Sequence, residues 1–186
     1  MRASPLERFF LRYRVLFTRL FVIPILVLAK PTLRSFLWGL PWVVVGLLLR
    51  TWAAGTIHKG GPQPTVGGPY ALCRHPLYLG TFLQGLGWCL AGNDARLLAL
   101  FLVFFAVVYG VVMRAEEKLL VEQYAERYLW YRRRTPMFLP NPFRPLEPAV
   151  FSWAQFRRNR ESGNYWANFG LLLWYLFRWW SEGFPS

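Results

Sequence analysis

Acid is what this chain has least of. Nine Asp and Glu stand against 22 Lys and Arg among 186 residues, a net charge of +13. Charged residues of both signs reach only 17%, below the roughly 25% of soluble globular chains, so an ordinary water-solvated surface is not on offer. There are two cysteines, Cys73 and Cys89, and two histidines, His58 and His75. So few, without ligand spacing, exclude a disulfide framework and argue against a metal site; both thiols are expected to be free. No strand pattern leads into a Gly-x-Gly turn, which excludes the Rossmann-type α/β fold. No internal repeat or low-complexity tract is present. No small-residue cleavage site follows the first apolar run, which therefore reads as a retained helix.

Hydrophobic residues are abundant, at 55%, with 19% aromatic. The uncharged runs are Leu20–Ala29, Ser35–Leu49, Leu77–Asn93, Leu97–Met113 and Ser162–Phe177. Each falls short of the ~20 residues that span a bilayer squarely, but flanking arginines can lengthen them by snorkelling. Tryptophans such as Trp38, Trp52, Trp88, Trp179 and Trp180 suit the interface. With five crossings, one side carries Arg2, Arg8, Arg12, Arg14, Arg50, Lys59, Arg74 and the ten basic residues from Arg114 to Arg160. The other side carries Lys30, Arg34, Arg96 and Arg178. This bias places the N-terminus and the long basic segment in the cytoplasm and Ser186 outside. It also assigns the positive charge to anionic headgroups, not to nucleic acid. The expected fold is an all-α, multi-pass integral membrane protein with about five transmembrane helices. A cytoplasmic helical extension follows the fourth run, and residues 1–186 form one domain.

Two stretches carry chemistry. The first is Gly67-Gly68-Pro69-Tyr70-Ala71-Leu72-Cys73-Arg74-His75-Pro76-Leu77-Tyr78-Leu79-Gly80, at the end of a Gly- and Pro-rich loop and the mouth of the third apolar run. Pro76 suits the first position of a helix. The N–H groups that follow, with Arg74 and His75 beside them, would receive a carboxylate or phosphate. The bland alternative is a solvated cap with turn glycines.

The second lies where the fourth run ends: Arg114-Ala115-Glu116-Glu117-Lys118, then Tyr124, Arg127, Tyr128, Tyr131 and Thr135-Pro136. On one continuous helix, Glu117, Leu120, Tyr124, Tyr128 and Tyr131 follow at spacings of three or four and share a face. One carboxylate among tyrosine rings suits an organic cation. Ionisable groups at a membrane boundary are usually functional. Against this stand an aromatic packing stripe and simple pairing of Glu116 and Glu117 with Arg114 and Lys118. The two stretches converge on the same side at the same depth, and the chain ties them by a short hairpin.

The motifs Gly68-Pro69-Tyr70, Arg74-His75-Pro76-x-Tyr78-x-Gly80, Arg114-x-Glu116-Glu117, Tyr124-x-x-x-Tyr128-x-x-Tyr131 and Thr135-Pro136 resemble the isoprenylcysteine carboxyl methyltransferase family. That family belongs to a wider group with the membrane phospholipid N-methyltransferases. The similarity covers roughly Gly67 to Pro140, and Arg157-Arg158-Asn159-Arg160-Glu161 before the last run resembles bacterial members. One departure is Tyr124-Ala125 where the family usually has Phe-Gly. The resemblance implies S-adenosyl-L-methionine as methyl donor. Arg74, His75, Pro76, Tyr78 and Gly80 would form one wall of its pocket, with Glu117, Tyr128 and Tyr131 on the other beside Glu116. It implies a lipidic acceptor, a prenylated small molecule or protein. A carboxylate acceptor needs no base, only alignment, loss of water and an arginine clamp from Arg114, Arg127 or Arg132–Arg134. An amine acceptor would need Glu116 or Glu117 as base. A nicotinamide-dependent sterol reductase carries a similar His-Pro-x-Tyr motif, but this chain has Leu77 and Thr81 where that motif has Asn and an acid. A non-catalytic membrane scaffold, the other alternative, would bind no donor. The absence of a His–carboxylate pair at motif spacing favours the carboxylate acceptor. Oligomeric state is not encoded in any of these motifs.

Overall fold

Helix starts are written in the sequence by capping residues. Ser4 precedes Pro5 and exchanges hydrogen bonds with Glu7, Thr32 does the same with Ser35, and the Asp94 carboxylate accepts from the N–H groups of Arg96 and Leu97. In a computed structural model that describes residues 4–181, these caps open α1 (Pro5–Leu20), α3 (Leu33–Thr56) and α6 (Ala95–Tyr124). The remaining helices are α2 (Val22–Leu28), α4 (Pro69–Leu72), α5 (Pro76–Ala91), α7 (Glu126–Arg134), α8 (Trp153–Arg158) and α9 (Ser162–Ser181). Among the described residues there is no strand. Ser186, which the charge bias assigns to the outside, lies beyond the described residues.

Helices occupy all five apolar runs. Two of them, α3 and α6, are long and apolar enough to cross a membrane. The first run is broken: α1 ends at Leu20 and α2 begins at Val22. Pro24 is the cause, because it has no N–H to give to the carbonyl of Leu20 four residues back.

The bundle is assembled around α5. On the side toward α3, Gly39 faces Gly87 and Gly46 faces Gly80, so closely that a Cβ on Gly87 would stand 2.6 Å from the Gly39 carbonyl oxygen. Small residues at both partners let the backbones touch, the usual basis of tight helix contact in lipid. Toward α6, Phe82 and Phe105 pack at 4.9 Å between ring centroids, and Phe105 stacks on Tyr109 at 4.5 Å. Toward α9, the Trp88 indole donates to the Asn168 side-chain oxygen at 2.8 Å, Asn168 donates to Gln84 at 2.9 Å, and the Tyr175 hydroxyl donates to the Trp88 carbonyl.

These contacts give the bundle two ends. At one, the Lys30 N–H donates to the Gly92 carbonyl and Arg178 donates to the Ala29 carbonyl. At the other, Arg50 forms an ion pair with Glu161 at 2.7 Å and donates to the Leu77 carbonyl and the Thr81 hydroxyl. The helix α9 runs from the second end to the first, alongside α5.

The expected single helix from Glu117 to Tyr131 is not formed. Ala125 takes φ 46° and ψ −123°, closing α6 at Tyr124 and opening α7 at Glu126. The turn folds α7 back so that Tyr128 and Tyr131 become buried. A left-handed backbone suits glycine and strains alanine by about 1–3 kcal/mol. Replacing Ala125→Gly is therefore expected to stabilise the chain by about 1 kcal/mol, after the greater freedom of an unfolded glycine is subtracted. Thermal unfolding of the detergent-solubilised protein checks this, and a lowered midpoint would contradict the strain.

Candidate functional site

The site is built where α5 begins. Gly68, at φ 60°, turns the loop into the short helix α4, and Cys73 to His75 then lead into Pro76, the first residue of α5. A chain segment from Pro136 onward lies across this entrance. The Arg74 N–H donates to the Pro136 carbonyl at 2.9 Å and the His75 N–H to the Met137 carbonyl at 3.2 Å. The N–H groups of Tyr78 and Leu79 turn inward to the His75 carbonyl. The open row of N–H groups expected from sequence is thus largely occupied by the protein's own carbonyls. Side chains, not a bare helix terminus, make the site.

The Arg74 side chain, 8% exposed, is held through Nε and Nη1. Its Nε donates to Glu117 Oε1 at 2.6 Å, and its Nη1 donates to the carbonyls of Arg132 at 2.7 Å and Thr135 at 2.9 Å. Glu117 faces Arg132 as well, with Nε 3.4 Å from Oε2. Two guanidinium groups converge on one carboxylate, and charge-assisted contacts of this kind are the strong ones.

His75 stands between the two glutamates. Its Nε2 is 3.6 Å from Glu117 Oε1, its Nδ1 is 4.0 Å from Glu116 Oε2, and its ring stacks on Tyr78 at 5.6 Å. The Tyr78 hydroxyl donates to Glu116 Oε1 at 2.5 Å, and Arg14 of α1 donates to the same oxygen at 3.0 Å. Glu116 is the more open acid, at 27% side-chain exposure against 6% for Glu117.

Two buried polar atoms here have no hydrogen-bond partner: His75 Nε2 and the Tyr128 hydroxyl. Burial and the neighbouring Glu117 push the Tyr128 phenol well above its ordinary range, so it stays neutral. The Tyr131 hydroxyl, by contrast, donates to the Tyr70 carbonyl at 2.7 Å. Burial also pushes the Cys73 thiol up to about 11, which keeps it protonated and inert.

The structure therefore gathers Arg74, His75, Pro76, Tyr78, Glu116, Glu117, Tyr128 and Tyr131 at one place. It separates others. Gly80 lies at the α3 crossing beside Arg50, where it serves packing. Arg114 is exposed on α6. Arg127 lines an open cleft of about 550 Å³ with Gln63, Pro64, Val66, Glu126 and Trp130. Of the cluster Arg132–Arg134, Arg132 is the one paired with Glu117. Sequence reasoning missed Arg14 as a partner of Glu116. The signal was there, since an arginine on the flank of an apolar run needs an anion or a polar surface.

A His–carboxylate pair, absent at motif spacing, is thus present in space. A candidate base is therefore within reach at this site.

The described residues form helices without a strand, two of the helices are long and apolar enough to cross a membrane, and a His–Glu–Tyr cluster lies where an apolar helix begins, which defines a helical protein of membrane type. The family model described as phospholipid methyltransferase matches residues 35–127, half of the chain, and the chain belongs to that family. Family membership implies methyltransferase activity. The match includes Arg74–Gly80 and Glu116–Glu117, and stops short of Tyr128 and Tyr131. The chain is 31% identical to the nickel-cobalt-cadmium resistance protein NccN of Alcaligenes xylosoxydans xylosoxydans, over 84% of its own length and 79% of that protein's. It is 33% identical to the cobalt-zinc-cadmium resistance protein CzcN of Cupriavidus metallidurans, over 73% and 67%. No solved structure matches.

Proposed function

We propose that the chain is an integral membrane methyltransferase that uses S-adenosyl-L-methionine and methylates a lipidic acceptor. In this reading the five apolar runs all cross, and the His75 cluster faces the cytoplasm. The course of α9 beside α5, from the Glu161 end to the Arg178 end, supports five crossings, as does the basic bias.

The observation that carries the donor assignment is the unpartnered Tyr128 hydroxyl, together with His75 Nε2, which faces the Glu117 carboxylate at 3.6 Å without a hydrogen bond. Buried polar atoms are nearly always satisfied, so two at one site ask for a ligand with polar groups of its own. The amino-acid end of S-adenosylmethionine carries an ammonium and a carboxylate and fits this donor set; when bound, the cofactor supplies an electrophilic methyl on its sulfonium. Glu117, fixed by Arg74 and Arg132, would present negative charge toward the cationic portion. Tyr128 would donate or accept through its free hydroxyl. Glu116, half-open between Tyr78 and Arg14, would face the acceptor side, and Arg14 would be the cation nearest an anionic acceptor head. The apolar side chains of the bundle exclude water from the lipid chain and leave the reactive head at the boundary, where loss of water raises reactivity.

The resemblance to isoprenylcysteine carboxyl methyltransferases favours a carboxylate acceptor and an ester product. A second reading, methylation of an amine headgroup, is favoured by the placement of His75 between Glu116 and Glu117, which gives the site a candidate base. The names of the two relatives speak of metal resistance; this proposal assigns the chain no metal ligand.

Calorimetry of the detergent-solubilised protein with S-adenosylhomocysteine tests the donor. Binding is expected, and Tyr128→Phe should weaken it roughly two- to tenfold, the worth of one net hydrogen bond. The same variant should unfold at an unchanged or higher temperature, because that buried hydroxyl has no partner in the protein and its removal relieves a desolvation cost. Heat from the wild type but identical affinity in Tyr128→Phe would remove the hydroxyl from the pocket; no heat from the wild type sinks the donor assignment.

The acceptor is read from pH. With donor and acceptor saturating, a carboxylate of ordinary pKa near ~4 gives a flat rate between about pH 6 and 8. An amine loses rate as pH falls through that window, because its protonated form has no lone pair. A base-stable product would promote the amine reading.

Topology has its own measurement. Reporter fusions at Asp94 and Ser181 are expected to read as outside, and an inside signal at Ser181 would mean that α9 does not cross.

A further inference from the structure

Between α7 and α8 the chain runs as an irregular strap, and its two faces differ. Its backbone is hydrogen-bonded inward. Besides the carbonyls of Pro136 and Met137 on Arg74 and His75, the Asn141 N–H donates to the Leu72 carbonyl at 3.1 Å. The Gly68 N–H donates to the Glu147 carbonyl at 2.8 Å, and the Ser152 N–H to the Gly55 carbonyl at 2.9 Å. Phe138 packs inward on Phe82 and Phe105, and Phe151 lies against Gly55, but most of the other large apolar side chains point outward. Leu139 is 73% exposed, Phe143 94%, Leu146 57%, Val150 81%, and Trp153, at the start of α8, 61%. A pinned backbone with large apolar side chains on its outer face is an arrangement for meeting hydrocarbon, not water.

Charge and depth select the surface. The strap leaves α7 through Arg132, Arg133 and Arg134 and ends in Arg157 and Arg158 of α8. Its anchor points, Gly55 at the end of α3 and His75 at the start of α5, lie where the apolar helices stop. Basic residues around exposed Phe, Leu, Val and Trp, at the level where helices leave hydrocarbon, match the headgroup and upper-chain zone of an anionic leaflet.

We infer that residues 137–158 form a membrane-docking strap, which lays Leu139, Phe143, Leu146, Val150 and Trp153 into the anionic leaflet and holds the mouth of the His75 site at headgroup depth. The strap's hydrogen bonds to Arg74 and His75 join its position to that of the site. The inference rests on the membrane placement proposed above and not on methyl transfer, so it can be tested on a chain with no activity.

The test uses the full-length protein with Phe143→Cys or Val150→Cys, labelled with bimane. Cys73 and Cys89 are each 1% exposed, so the label goes to the new thiol. The labelled protein is placed in vesicles of equal parts phosphatidylcholine and phosphatidylglycerol. Quenching by acyl-chain-brominated lipid is expected to dominate over quenching by aqueous iodide. It should drop by at least about twofold in vesicles of phosphatidylcholine alone and in the Arg157→Gln, Arg158→Gln double variant. Iodide quenching without bromolipid quenching would place the strap in water and overturn the inference. Shielding from both quenchers would mean that a protein surface or a second copy of the chain covers it, which also overturns it. Bromolipid quenching indifferent to phosphatidylglycerol and to the two arginines would remove the anionic leaflet as the partner.

Discussion

The contact on which the rest depends is the buried pair of Arg74 and Glu117. Arg74 precedes α5 by two residues and Glu117 sits near the end of α6, yet one guanidinium joins them and also holds the carbonyls of Arg132 and Thr135 at the end of α7. Its own N–H takes the Pro136 carbonyl. A single residue thereby ties the loop, α6, α7 and the strap. Removing one member of such a buried pair costs about 3–5 kcal/mol, because the other is left charged and unpaired away from water. The geometry of His75 and Tyr128 is inherited from this tie.

Around it, the molecule uses two kinds of adhesion. The contact of α3 with α5 is one of backbone on backbone through glycines, with no room for a side chain. The contact of α1 with α6 is different in kind, since no residue of α1 is fully buried. It is held by Arg14 on Glu116, Lys118 on Glu7 at 2.6 Å, and Thr18 with the Tyr109 hydroxyl at 2.7 Å. Few buried apolar contacts put a segment at the low end of local stability. The helix that covers Glu116 rests on polar contacts and on the half-buried Phe10 and Phe17, while α3, α5 and α6 form the floor of the site.

Much of the fold was legible because helix formation is local. Apolar runs, Pro76 at the start of α5 and the caps at Ser4, Thr32 and Asp94 act within a turn of the residues they organise. Where the reading failed, the cause was a local detail with long-range effect. Pro24 splits the first run, and Ala125 reverses the chain where an unbroken periodicity suggested one helix. Periodicity reports which residues want burial and is silent on a single left-handed residue that redirects them.

By itself, then, the sequence determined the helical character, the apolar runs, the charge asymmetry and the two motifs that supply the acids, the histidine and the tyrosines, because each is a property of neighbouring residues. Only the tertiary structure decided who meets whom. It paired Arg14 with Glu116 across 102 positions and Arg50 with Glu161 across 111, set His75 between two glutamates, and gave the N–H groups of Arg74 and His75 to a strap instead of to an open surface. The reason is physical: these contacts join segments far apart along the chain, and their partners are chosen by which charges and carbonyls the packed helices leave within reach when water is excluded.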